Sequence, residues 1–182
     1  MPVLILASAS AIRAQLLRQA GLKFRTAPAR VDEAALREGL AAEGAEPRDI
    51  ADALAEQKAL RISNQDPQAL VIGCDQILEC DGALFAKPDA LTDARAQLLR
   101  LRGRTHRLHS AAVLYQDGQP LWRHVSTPKL TMRDFSDAFL ETYLADNWPH
   151  VQGCVGAYQV EGPGIRLFER IEGDYFAILG LP

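Results

Sequence analysis

Leu70-Val71-Ile72-Gly73-Cys74-Asp75-Gln76-Ile77-Leu78 is the stretch that decides the fold of this chain. Apart from Asp75 and Gln76 it is apolar, Gly or Cys, and such a run reads as a strand buried on both faces. Asp81-Gly82 follows as a tight hairpin turn into Ala83–Phe85, which gives this strand an antiparallel neighbour. Toward the N-terminus, Val3–Leu6 reads as a second buried strand. Ser10–Ala20 reads as a helix with an apolar line at Ile12, Leu16 and Ala20, stopped by Gly21. Lys23–Ala27 reads as another strand, and the acidic stretch 32–56 ends in a helix that Pro47 can open. Toward the C-terminus, Thr92 is placed to cap a helix running to Leu101, with Gly103 after it. Arg107–Tyr115 and Leu121–Ser126 form a hairpin across Asp117-Gly118, Ser136 starts a helix through Ala145, and two last strands flank Glu172-Gly173. Helices interleaved with hairpins, in place of strict βαβ repetition, predict a mixed twisted sheet flanked by helices in an α/β or α+β fold, of which α/β is adopted.

At 182 residues the chain has the size of one domain and can bury a core without disulfides. Its 20 basic and 23 acidic residues leave a net charge of -3, the wrong sign for the usual nucleic-acid binder, and 7% aromatics offer little for stacking along a strand. Apolar stretches fall short of the ~18–20 residues of a membrane helix. Val3–Ala7 is too short for a signal core and no basic segment precedes it. Cys74, Cys80 and Cys154 form no C-x-x-C, and the histidines form no zinc motif, so a reducing compartment is expected. These features predict a soluble, cytoplasmic protein with neither membrane nor nucleic-acid partners. Arg95, Arg100, Arg102, Arg104 and Arg107 support one competing reading, a basic strip for RNA, against a solvated helix end.

Function is sought where charge interrupts the apolar pattern. Ser8-Ala9-Ser10 and Arg13 lie between a buried strand and a helix, where free N–H groups and the dipole suit phosphate; Ser10 can equally be a plain N-cap. Lys58 falls inside the apolar arc formed by Ile50, Ala51, Leu54, Ala55, Ala59 and Ile62, so it must snorkel or face a polar cleft. Asp75 is costly in an apolar strand unless paired, metal-bound or opened to a cleft, and a functional carboxylate is the better account than a structural one. Pro88 holds Lys87 extended just after the hairpin. Residues 153–164 are too glycine-rich for a regular helix and do not follow a strand as a dinucleotide-binding loop would. Cations with carboxylates and a glycine loop suit a polyphosphate and a divalent metal.

These positions also carry a family resemblance. The chain resembles the Maf family of nucleoside triphosphate pyrophosphatases almost end to end, as a single Maf-like domain over 1–182. The resemblance rests on Leu4–Ser10 with Arg13, Val31-Asp32-Glu33, Ala55–Ala59, Ile72–Gln76 and Lys87-Pro88. It continues through Gly103–His106, Gly156–Gly162, Gly173–Phe176 and Gly180-Leu181-Pro182. It implies an elongated, two-lobed fold like that of inosine triphosphatase with a central cleft, a Mg²⁺ or Mn²⁺ cofactor, a nucleoside triphosphate substrate cleaved to monophosphate and pyrophosphate, and compatibility with a homodimer. By position, Asp75 matches the catalytic proton acceptor, and its carboxylate suits either that job or metal binding. Ser8, Arg13, Glu33, Lys58 and Lys87 match the phosphate- and metal-handling set. Within it Glu33 is assigned to metal and the others to phosphate, with Ser10 added to the phosphate set from its place at the helix start. Base specificity falls at Ile12, Gln76 and Glu161. Gln76 and Glu161 match the 7-methyl-GTP branch, whereas Ile12 matches neither that branch nor the one acting on dTTP and UTP. The alternatives are a dTTP/UTP-preferring enzyme and a non-catalytic nucleotide-binding regulator, because the family is associated with inhibition of septum formation. Ala11 stands where the family has Pro, and the chain stops at Pro182 where relatives continue into a short helix.

Overall fold

The computed structural model describes residues 2–182. Its elements are β1 (Leu4–Leu6), α1 (Ala11–Gln19), β2 (Arg25–Thr26), α2 (Glu33–Ala42), α3 (Pro47–Gln65), β3 (Leu70–Cys80) and β4 (Ala83–Phe85). They continue as α4 (Leu91–Leu101), β5 (Thr105–Gln116), β6 (Gln119–Ser126), β7 (Lys129–Met132), α5 (Asp137–Asn147), β8 (Phe168–Glu172) and α6 (Tyr175–Ile178). A 3₁₀ turn at Pro163–Leu167 precedes β8. The strands form one mixed eight-stranded sheet, ordered β2-β1-β3-β5-β7-β8, with β4 on β3 and β6 on β5. The chain divides into two compact units, residues 1–76, 109–126 and 175–182 in one and 77–108 and 127–174 in the other.

In the first unit β1 is parallel to both β2 and β3, with Leu4, Ile5 and Leu6 facing Leu70, Val71 and Ile72 in register. Leu6, Ile72, Cys74 and Ala112 pack with Ala14 and Leu17 of α1. Helix α3 buries Ile50, Ala51, Leu54, Ala55, Ala59 and Ile62, and Gly73 lets it approach β3. A Cβ at Gly73 would lie 2.1 Å from the Ala55 carbonyl oxygen and 2.8 Å from Ala59 Cβ. Only glycine fits there, and the closeness sets the next turn of α3, with Lys58, beside Asp75. The β5–β6 hairpin turns at Asp117 and Gly118, at φ 51° and 68°, the left-handed pair that a two-residue turn requires.

The second unit closes β3 onto β4 through Asp81 and Gly82, at φ 51° and 77°. Leu98, Leu101, Leu108, Leu130, Met132, Leu140 and Leu167 are buried there. The arginine strip is neutralised locally. Arg95 pairs with Glu141 at 2.6 Å, Arg102 with Asp137 at 2.6 Å, Arg104 with Asp81 at 2.6 Å and Arg107 with Glu79 at 3.3 Å, while Arg100 lies over the Phe85 ring. Such pairing fits a solvated helix end.

Four local expectations change. The strand expected over Lys23–Ala27 is only the two-residue β2. The acidic stretch holds two helices, α2 and α3, separated at Gly44, which has φ 82°. Helix α4 begins at Leu91, before Thr92, and Asp93 rather than Thr92 caps it by accepting from the Ala90 N–H at 3.0 Å. The last strand after Glu172-Gly173 is instead the helical turn α6, whose carbonyls are taken by side chains described below.

Candidate functional site

The turn from β1 to α1 is built from Ser8, Ser10 and Arg13. Ser10 is the N-cap of α1, its Oγ accepting from the Arg13 backbone N–H at 3.4 Å. Ser8 Oγ accepts from the Ser10 N–H at 3.2 Å and from Arg13 Nη1 at 3.2 Å. Arg13 Nη1 also donates to the Cys74 carbonyl at 3.1 Å, and Nε donates to the Gly180 carbonyl at 2.7 Å. The guanidinium therefore ties three chain segments together as well as supplying charge. Gly180, at φ 91°, seats it: a Cβ there would lie 3.0 Å from both Nε and Nη2.

Lys58 does not snorkel. Its Nζ lies 2.5 Å from Asp75 Oδ1 and 3.0 Å from Glu33 Oε1, and the Lys58 and Asp75 side chains are each only 8% exposed. Glu33 is half-exposed and enters from the first turn of α2, which Asp32 caps by accepting from the Ala35 N–H at 3.0 Å. Burial pushes the Asp75 carboxyl above the ordinary carboxylate range, Lys58 and Arg13 oppose that, and the like charge of Glu33 adds to it. The buried carboxylate thus has its compensating cation in contact.

Gln76, next to Asp75 on an extended strand, faces the opposite side of the sheet. Its Nε2 donates to the Ala177 and Ile178 carbonyls at 3.1 and 3.0 Å and lies 2.7 Å from Ser110 Oγ. Ser110 in turn donates to the Ala177 carbonyl at 2.6 Å. Ile12 is half-buried on α1. The first unit thus brings together Ser8, Ser10, Arg13, Glu33, Lys58 and Asp75, and joins Gln76 to α6.

Lys87 and Glu161 belong to the second unit, both exposed, on the loop after β4 and in the glycine-rich stretch. Both charges act on Cys154, Lys87 lowering and Glu161 raising a thiol that burial already pushes up. Gly156, at φ 79°, turns the loop where a Cβ would meet the Tyr158 ring at 2.7 Å and Leu78 at 2.8 Å.

Ser110 and Gly180 complete this arrangement without having been singled out as site residues by sequence. Ser110 carried a usable signal, a hydroxyl inside the apolar run of β5; Gly180 carried none beyond its place in Gly180-Leu181-Pro182. A second polar cluster also escaped notice: Tyr115 donates to Glu56, and Arg123 bridges Glu56 and Asp52 at 3.0 and 2.7 Å.

Residues 3–182 match the model of the Maf-like protein family. A protein of Ruegeria sp. (strain TM1040) named nucleoside triphosphate pyrophosphatase is 53% identical over 98% of this chain and 90% of its own length. One from Jannaschia sp. (strain CCS1), named nucleoside triphosphate pyrophosphatase 1, is 53% identical over 100% of this chain and 92% of its own. A protein of Brucella abortus biovar 1 (strain 9-941) named 7-methyl-GTP pyrophosphatase is 50% identical over 98% and 90%.

Proposed function

The chain belongs to the Maf family, and on that premise we propose that it is an enzyme, a nucleoside triphosphate pyrophosphatase with a house-cleaning role in nucleotide metabolism. It hydrolyses the α–β phosphoanhydride, releasing nucleoside monophosphate and pyrophosphate. The observation that carries this reading is the buried Lys58–Asp75 pair with Glu33 on the same ammonium. A pyrophosphatase needs a carboxylate that stays available to take a proton, and cations for the phosphates.

In the proposed reaction Asp75 orients water and accepts its proton as oxygen adds at the anhydride. The breaking P–O bond leaves its electron pair on pyrophosphate. Burial raises the proton affinity of Asp75, while Lys58 and Arg13 oppose that shift by favouring the carboxylate. Lys58 and Arg13 offset phosphate charge, Ser8 and Ser10 offer hydroxyls at the helix start, and in the second unit Lys87 is a further cation for phosphate.

Glu33 and Asp75 fit Mg²⁺ or Mn²⁺, since both are hard oxygen donors already converging on one cation. No group of three or more His, Cys, Asp or Glu among the described residues could hold an ion unaided. The metal would then be completed by phosphate oxygens and water, and would supply charge neutralisation at the anhydride. For the base, Gln76 and Glu161 favour a 7-methyl-GTP-like nucleotide, Glu161 being an acceptor suited to guanine N–H groups. The three free cysteines suit the cytoplasm, and among the described residues no helix is long and apolar enough to cross a membrane.

The test is a panel of common and modified triphosphates with Mg²⁺ or Mn²⁺, scored for products. Monophosphate with pyrophosphate is expected, and predominant orthophosphate would contradict the reading. Asp75→Asn should bind nucleotide yet release no pyrophosphate; unchanged turnover would exclude Asp75 as the proton acceptor.

A further inference from the structure

The C-terminal turn α6 presents two neighbouring aromatic rings to solvent. Tyr175 is 50% and Phe176 56% exposed, with their rings edge to face and 6.0 Å between centroids. Exposed neighbouring aromatics leave apolar surface in water, and a fixed pair is a natural contact surface for a flat ligand. This pair is fixed. Ser110 donates to the Ala177 carbonyl, Gln76 to the Ala177 and Ile178 carbonyls, and Arg13 to the Gly180 carbonyl. The Leu179 and Leu181 N–H groups close the turn on Tyr175 and Phe176 carbonyls at 3.2 and 3.0 Å. One of the anchors, Arg13, also donates to Ser8 and to the Cys74 carbonyl beside Asp75, so its guanidinium joins the turn to the candidate site.

The hydrogen bonds of Gln76 explain what this position does. Backbone carbonyls can only accept, so the amide must turn its NH₂ toward Ala177 and Ile178. Ser110 spends its proton on Ala177 and can only accept from Gln76. Both amide protons are therefore consumed inside the fold, and what Gln76 donates goes to Ser110 and α6. Ile12 supplies no ring for stacking, whereas Trp122, an exposed aromatic of the same unit, is engaged in stacking on His124 along β6.

We propose that Tyr175 and Phe176, anchored by Gln76, Ser110 and Arg13, form the surface on which the purine base of the nucleotide stacks. This rests on the nucleotide reading above and names where its base is held. Flat faces favour a purine over a pyrimidine, and a methylated purine cation gains further attraction from the aromatic face. Gln76 is then a positioning residue.

Calorimetric binding of the protein, with Mg²⁺ present, to α,β-methylene GTP and to inorganic tripolyphosphate tests this, because only the first has a base. Because the rings lie edge to face, a planar base stacks on one and meets the edge of the other. One of Phe176→Ala and Tyr175→Ala should therefore weaken the nucleotide analogue about ten-fold, the usual worth of a base–aromatic stack, and the other less. The tripolyphosphate affinity should stay unchanged, and Phe176→Trp should restore nucleotide binding. Gln76→Leu should weaken the analogue likewise and speed hydrogen exchange at the Leu179 and Leu181 amides. Equal loss for both ligands would reduce the pair to a structural role and overturn the proposal. So would unchanged nucleotide affinity in both alanine variants, or a parent protein that binds no analogue. A parent that binds the analogue as expected but releases no pyrophosphate from any nucleotide would overturn the catalytic reading and leave the stacking surface supported.

Discussion

Replacing Lys58 by Met keeps an unbranched stem one atom shorter and removes the cation that Asp75 touches at 2.5 Å and Glu33 at 3.0 Å. Taking one partner from a buried ion pair costs about 3–5 kcal/mol, because the other charge is left uncompensated. That range applies here because both side chains are nearly excluded from water, unlike an exposed pair worth under about 1 kcal/mol. The variant can relieve the cost by protonating Asp75, whose carboxyl burial already pushes upward. A carboxyl raised in the folded state binds more protons there than in the unfolded chain. Its penalty is therefore smallest at acid pH and grows as pH rises through the folded-state value, by at most about 1.4 kcal/mol per pH unit. Urea unfolding of parent and Lys58→Met should differ by about 3–5 kcal/mol at pH 8, with the gap narrowing toward pH 5.5. Asp75→Asn in the Lys58→Met background should remove the pH dependence of the gap. A gap below about 1 kcal/mol, or one independent of pH, would refute the claim that Asp75 is held ionised by Lys58.

Three other perturbations follow from the same geometry. Gly73→Ala puts a methyl group 2.1 Å from the Ala55 carbonyl oxygen, so it should cost about 1–3 kcal/mol or more and reduce pyrophosphate release by displacing α3; a parent-like melting temperature would contradict this. Gly180→Ala, at φ 91° and against Arg13, should cost about 1–3 kcal/mol through backbone strain and weaken nucleotide binding, measured by calorimetry beside thermal melting. His106 is buried with Nε2 at 2.8 Å from the Tyr158 hydroxyl, and burial lowers it to about 4; stability should fall by up to about 3 kcal/mol as pH drops from 6.5 to 4, and a His106→Gln protein unfolded in urea across that range should lose this dependence.

What the sequence disclosed was chemistry out of place. Asp75 and Lys58 were legible because each breaks an apolar pattern whose violation costs several kcal/mol. Ser10 was legible because strand, hydroxyl and helix follow one another locally. The partners were not. Arg13 donates to Gly180, 167 residues away, and no local period encodes that separation. The segment after Gly173 carries Tyr and Phe, which suit a strand, yet side chains of β3 and β5 capture its carbonyls and it closes as a helical turn. Tertiary donors overrode local preference there. Strand β7 was missed because its four residues, Lys129–Met132, are too short to show alternation.

Charge balance at the cluster leads one step further. Lys58 and Arg13 bring two positive charges and Glu33 and Asp75 two negative ones, so this part of the first unit is close to neutral. It has no surplus for a triphosphate. Lys58 can turn its ammonium to a phosphate oxygen only when its two carboxylates find another cation, and carboxylates released alone inside the fold would be costly. Metal and nucleotide should therefore bind together: Mg²⁺ alone competes with Lys58, and nucleotide alone meets two carboxylates. In thermal melting, the stabilisation by Mg²⁺ with the non-hydrolysable nucleotide should exceed the sum of the separate effects, as linked binding requires. Lys58→Met should reverse the first half of this, because its unpaired carboxylates gain from Mg²⁺ without nucleotide. Strong stabilisation of the parent by Mg²⁺ alone would mean that Lys58 does not occupy the carboxylates in solution.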